Sequence, residues 1–157
     1  MRNLVIAGTA LAALVAASAG AQPAPPTPEQ QAQRAVELRQ SVFKLQNWNM
    51  EPLAGMLRGT VPFDAALIET NATNISNLSK MISPVFGEDT TAFDVETLAL
   101  DRIWGSMAEF NTKAVALTTA ADALVAAAGA GDDAATRAAI GRVGQACGSC
   151  HDDFRAN

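Results

Sequence analysis

The run Val143-Gly144-Gln145-Ala146-Cys147-Gly148-Ser149-Cys150-His151-Asp152-Asp153-Phe154-Arg155 holds both cysteines and the single histidine of a 157-residue chain. Three such residues scattered at random would form a C-x-x-C-H arrangement on the order of once in 10,000 shuffles, so the spacing calls for a chemical reason. On a helix, positions i, i+3 and i+4 share a face. Cys147 and Cys150 can therefore both form thioethers to the vinyl groups of one porphyrin edge, while His151 swings under the iron as an axial ligand. Gly148 and Ser149 are small enough to let a macrocycle come close. Three other readings compete. A Cys147–Cys150 disulfide would need a helical spacing that suits bridge geometry poorly, and it would close a trivially short loop. A thioredoxin-like pair would follow a strand, and no segment alternates with period two over a strand's length. A zinc site lacks its fourth ligand. The expectation is one covalent haem c, with its iron on His151.

The same run lies on an amphipathic stripe of Ile140, Val143, Cys147, Cys150 and Phe154. This predicts a helix over about 133–155, with Asp132 or Asp133 as its cap after Gly129-Ala130-Gly131. Upstream, Trp104, Met107, Asn111, Ala114, Leu117, Ala121 and Leu124 predict a helix over about 98–128. A loop is expected over 87–97. Before it, Ile68, Ala72, Ile75, Leu78 and Ile82 mark a helix that starts near Pro62 or Phe63 and is stopped by Pro84 and Gly87. The first helix opens at Thr27-Pro28-Glu29-Gln30, which supplies a capping hydroxyl, proline at the first helical position and glutamine three after the cap. Its inward stripe is read as Leu38, Val42, Leu45 and Trp48, and Pro52 is expected to kink or end it. Four amphipathic helices with short connections and one longer loop predict an all-α, antiparallel up-down-up-down four-helix bundle around the haem.

The N-terminus has the pattern of a secretion signal: Arg2, an apolar stretch from Leu4 to Ala17, then small residues. Cleavage after Ala19 or after Ala21 fits, and the second leaves Gln22-Pro23-Ala24-Pro25-Pro26 as a stiff leader. The reading is a signal peptide over 1–21 and one domain over 22–157. The apolar stretch is shorter than the ~20 residues a membrane span needs, and no later run approaches that length. A single arginine argues against twin-arginine export. The expected location is the periplasm. Of 11 basic residues one, Arg2, lies in the signal, while all 16 acidic residues lie beyond it, so the mature charge is about −6. That balance argues against nucleic acid or an anionic membrane as partner.

The C-terminal run resembles the end of cytochrome c′, the class II c-type cytochromes, which attach haem near the C-terminus. Arg39-Gln40-Ser41-Val42-Phe43 resembles the haem-facing segment of that family's first helix. Gly59-Thr60-Val61-Pro62-Phe63-Asp64 is similar to the start of its second, and Glu96-Thr97-Leu98-Ala99-Leu100-Asp101-Arg102-Ile103-Trp104 to the start of its third. Asp101-Arg102 departs from a pattern in which many relatives carry Pro-Glu. Cytochrome c′ is itself a standard example of the up-down-up-down bundle.

The resemblance implies roles for further residues. It puts Phe43 over the distal face of the iron, where low-spin members of the class carry methionine. Phenylalanine has no lone pair to offer, and His151 is the only histidine, so the implied haem is five-coordinate with an apolar distal side. Ordinary core packing is the other reading of Phe43. Arg39 and Gln40 are implied to pair with the haem propionates, or else to belong to a solvated helix face. Arg155 either guards the proximal face or complements the helix dipole. Met50 lies two turns past Phe43, about 10 Å along the axis, and with Met56 is read as packing near the proline. Two functions remain open: periplasmic electron transfer with redox partner proteins, and nitric oxide binding or scavenging, with carbon monoxide as a further small ligand. Enzymatic turnover is not expected, because no distal general acid or base is available. A homodimer through the first two helices is implied by resemblance.

Overall fold

The computed structural model describes residues 24–156, so the signal peptide assigned to 1–21 lies outside the described residues. Thr27 caps the first helix as its sequence requires. Its side chain accepts from Gln30 N, and the Gln30 side chain accepts from Thr27 N, closing a capping box. The helix α1 spans Pro28–Arg58. It continues through Pro52, so of the two expected effects, a kink or an end, the end does not occur. The stop is Gly59, in the left-handed region at φ 73°, with its N–H turned back to the last carbonyls. Thr60 and Val61 then fold onto the Gly55 carbonyl, and a Cβ on Gly55 would come within 2.6 Å of Val61, so this corner needs glycine.

Asp64, accepting from Leu67 N, caps α2 (Ala65–Ser79), a little later than the prolyl start expected. A short helix α3 (Ile82–Val85) follows, then the long loop to α4 (Arg102–Gly105). The main third helix, α5, covers Met107–Gly129, and α6, capped by Asp132, covers Asp133–Phe154. The expectation that the third helix begins near 98 is overturned. Leu98–Leu100 is non-helical and paired with the C-terminal end. Leu100 N donates to Phe154 O, Ala156 N donates to Leu98 O, and Ala99 bridges Arg155. Backbone groups spent on that pairing are lost to a helix.

The four long helices make the bundle. α5 packs extensively on α2 and α6, whereas α1 packs on α2 but stands off from α6. Ile68, Ala72, Ile75, Ala114, Leu117, Ala121, Leu124, Ile140 and Val143 fill the core, as their spacing predicted. The first helix is rotated from the expected stripe. Of that stripe only Val42 is buried, while Leu38, Leu45 and Trp48 are 54%, 50% and 66% exposed. The inward face carries Ala32, Val36, Arg39, Val42, Gln46, Asn49, Leu53 and Met56. Three of these are polar, so a search for apolar spacing selects the opposite side.

Candidate functional site

Where α1 stands off from α6, the bundle leaves a cavity of about 670 Å³ that is open to solvent along one rim. That lies within the ~300–1,000 Å³ of small-ligand and cofactor sites. Cys147, Cys150, His151 and Arg155 line it from the α6 side, and Arg39, Gln40, Phe43, Gln46 and Met50 from the α1 side. Every residue singled out in the sequence reading as a haem contact therefore faces one space.

Both thiols are free, and burial is the main influence on each, pushing it above the ordinary cysteine range. For Cys150 the nearby Lys113 works the other way. His151 is held below the usual imidazole range, first by burial and then by the charge of Arg155, with Asp152 opposing. A neutral imidazole keeps a nitrogen lone pair for iron. The turn that carries these groups is tied down from α5. Lys113 Nζ donates to the Ser149 carbonyl and hydroxyl, at 3.2 and 2.7 Å, and sits 2.7 Å from Asp153 Oδ2. Nothing in the sequence pattern signalled Lys113, because its partners lie on another helix.

Arg39 is only 2% exposed. Its Nε donates to Val85 O, Nη1 to the Thr90 hydroxyl and Nη2 to Glu88 O. The guanidinium lies over the rings of Phe86 and Trp104, at 4.9 and 5.1 Å from their centroids. Trp104 Nε1 donates to the carbonyls of Phe86 and Glu88. Burial lowers the Arg39 pKa, while Glu88 and Asp89 oppose that shift. Arg39 therefore borders the cavity while all three of its nitrogens hold the loop at 85–90. Gln40, at the exposed rim, reaches Glu96 O at 3.4 Å.

A line of rings runs along the cavity wall: Phe43 to Phe86 at 6.1 Å, Phe86 to Phe110 at 4.8 Å, and Phe110 to Phe154 at 5.3 Å. The sequence reading missed Phe86 and Phe110. Phe110 repeats at i+4 and i+7 with Ala114 and Leu117 and was legible in principle, while Phe86 follows a four-residue helix with no period to reveal it. Met50 is partly buried, with its Cε 3.8 Å from where a Gly144 Cβ would stand, so it packs two turns away from His151. Met56 is fully buried in the core.

These walls fit a haem. The cavity lining is apolar for the most part, and among the described residues its only charged side chains, beside the neutral His151, are Arg39, Lys44, Lys113 and Arg155. Among the described residues no carboxylate lines it, in a chain with 16 acidic residues. A flat apolar ring with two anionic propionates needs that combination, since buried charge must be paired.

Comparisons with known proteins point the same way. The family model described as Cytochrome C' matches residues 34–155. A cytochrome c' of Cereibacter sphaeroides is 39% identical over 99% of this chain and 98% of its own length. The solved cytochrome c prime from Shewanella frigidimarina is 34% identical, with a TM-score of 0.74 over 80% of this chain and 97% of that one. A nitric oxide complex of a variant cytochrome c prime from Alcaligenes xylosoxidans is also 34% identical, with a TM-score of 0.71 over 80% of this chain and 97% of that one.

Proposed function

The chain belongs to the cytochrome c′ family and carries one covalent haem c with its iron, and from this premise we propose that it is a periplasmic electron-transfer protein with a five-coordinate haem. The observation that carries the proposal is the placement of Phe43, which lines the cavity from α1 while His151 lines it from α6. Cys147 and Cys150 would hold the porphyrin edge, and His151 the iron. Gln40, Lys44 and Arg155 would meet its anionic rim. When bound, the group would supply a reversible one-electron iron couple. The protein's part is to fix the ring on one side and to present an apolar face on the other. No group in this reading performs substrate turnover, so the protein is a carrier and not an enzyme. The signal-like first 21 residues support the periplasmic location, and among the described residues no helix is long and apolar enough to cross a membrane.

The spin state tests this reading. Ferrous wild-type protein should give a high-spin optical spectrum, and Phe43→Met should move it towards low spin by bringing a thioether to the iron. Phe43→Ala should open the distal face and speed carbon monoxide binding. A wild-type spectrum with the sharp bands of histidine–methionine ligation would refute five-coordination.

Nitric oxide binding is the second reading, favoured by the nitric oxide complex of the Alcaligenes xylosoxidans relative. An apolar distal side suits nitric oxide, which binds haem iron without hydrogen-bond assistance. Electron self-exchange rate and nitric oxide affinity, measured side by side, separate the two functions.

A homodimer is also proposed. Leu38, Leu45 and Trp48 lie exposed on the side of α1 turned away from the cavity, and Trp48 and Leu67 border a groove between α1 and α2. Sedimentation should give a dimer at micromolar concentration, and Trp48→Glu should give monomer. A monomeric wild type removes the dimer without touching the haem assignment.

A further inference from the structure

Three side chains on the inward face of α1 are polar and at least nine-tenths buried: Arg39, Gln46 and Asn49. Arg39 has three protein partners. Asn49 donates to Leu45 O and accepts from Asn74. Gln46, 8% exposed, is different, because its Nε2 is buried with no hydrogen-bond partner. Asn71 and Asn111 also carry orphan atoms, but neither lines the haem cavity, and Gln46 does. It stands on the ridge of α1 between Phe43 (i−3) and Met50 (i+4), which both line the same wall.

A buried amide without a partner costs more than an ordinary hydrogen bond returns. Leucine or methionine would fill this wall without that cost. In this structure Nε2 is the shielded end of the amide, and a half-turn of its last torsion exchanges it with the oxygen, which is the orientation in which the donor serves the cavity side. We propose that Gln46 is the distal hydrogen-bond donor of this protein, giving its N–H to the outer atom of a small ligand held on the haem iron. The inference rests on the reading of the α1 wall as the distal side. It amends the expectation of a purely apolar pocket: Phe43 supplies bulk and Gln46, one turn along, supplies a single polar contact. The ligands it favours are those whose outer atom accepts a hydrogen bond, namely polar diatomic gases and small anions.

Carbon monoxide is the probe. In the ferrous holoprotein, Gln46→Leu and Gln46→Met should both raise the infrared stretching frequency of bound carbon monoxide, because a donor at the outer oxygen lowers it. Ligand dissociation should quicken by about 2- to 10-fold, the equivalent of one modest hydrogen bond. Retained covalent haem and unchanged helical content show that the variants are folded. Should neither fold, the wild-type protein still decides the matter: the stretch should shift in deuterium oxide as the amide exchanges. A frequency and dissociation rate identical to wild type in both folded variants overturns the proposal, as does a wild-type band indifferent to deuteration. A wild-type protein that binds no carbon monoxide, or is already low-spin, overturns the five-coordinate reading itself and this proposal with it.

Discussion

Replacing Cys147 and Cys150 together with alanine, in cells that mature c-type haem, should yield a polypeptide from which acid–acetone removes all haem. Wild-type protein should retain one haem by mass. Both thiols line the cavity beside His151, so their loss leaves only axial ligation to hold the ring. The effect on stability should be large. The ring covers the apolar walls of this space, and apolar surface removed from water contributes roughly 25 cal/mol per Å², so a couple of hundred Å² of wall, about 5 kcal/mol, rivals the ~5–15 kcal/mol by which a domain is stable. Water entering the space leaves Phe43, Phe86, Phe110 and Phe154 against solvent. The double variant should therefore lose its cooperative thermal transition or have it lowered by about 10 °C or more. Haem that stays with the double variant through extraction, or leaves the wild type freely, would refute covalent attachment through this motif.

Arg39→Met should be the most damaging single substitution outside the attachment motif. It removes the donors of Val85 O, Glu88 O and the Thr90 hydroxyl at once, and Thr90 is itself buried. Each orphaned buried group costs about 1–3 kcal/mol, tempered where the loop can relax towards water. A net loss of about 3–5 kcal/mol is expected, read as the shift in denaturant midpoint at unchanged slope. Hydrogen exchange should accelerate across residues 85–90. Arg39→Lys should recover only part of the loss, because an ammonium cannot reproduce a three-way planar fork or lie flat over Phe86 and Trp104. A loss below about 1 kcal/mol for Arg39→Met would show that the loop is held by Trp104 and packing alone.

The haem-attachment turn and the helix caps could be read from the chain because they are local. Cys147, Cys150 and His151 share a helical face whatever the rest of the molecule does, and Thr27 with Gln30 closes its box within three residues. The inward stripes of α2, α5 and α6 were legible for the same reason, since each is apolar at the helical period. The rotation of α1 was not, because its inward side is set by partners far along the chain. Arg39 is made compatible with burial by groups 46 to 51 residues away, while Leu38, Leu45 and Trp48 offer the more apolar stripe and stay outside. The late start of the third long helix has a similar origin, in the pairing of Leu98–Leu100 with residues 154–156. The place of Phe86 between Phe43 and Phe110 likewise depends on the folded loop. Periodicity reports which residues can share a face. Which face is buried depends on whether distant groups can satisfy the polar atoms on it, and that is settled only when the helices meet.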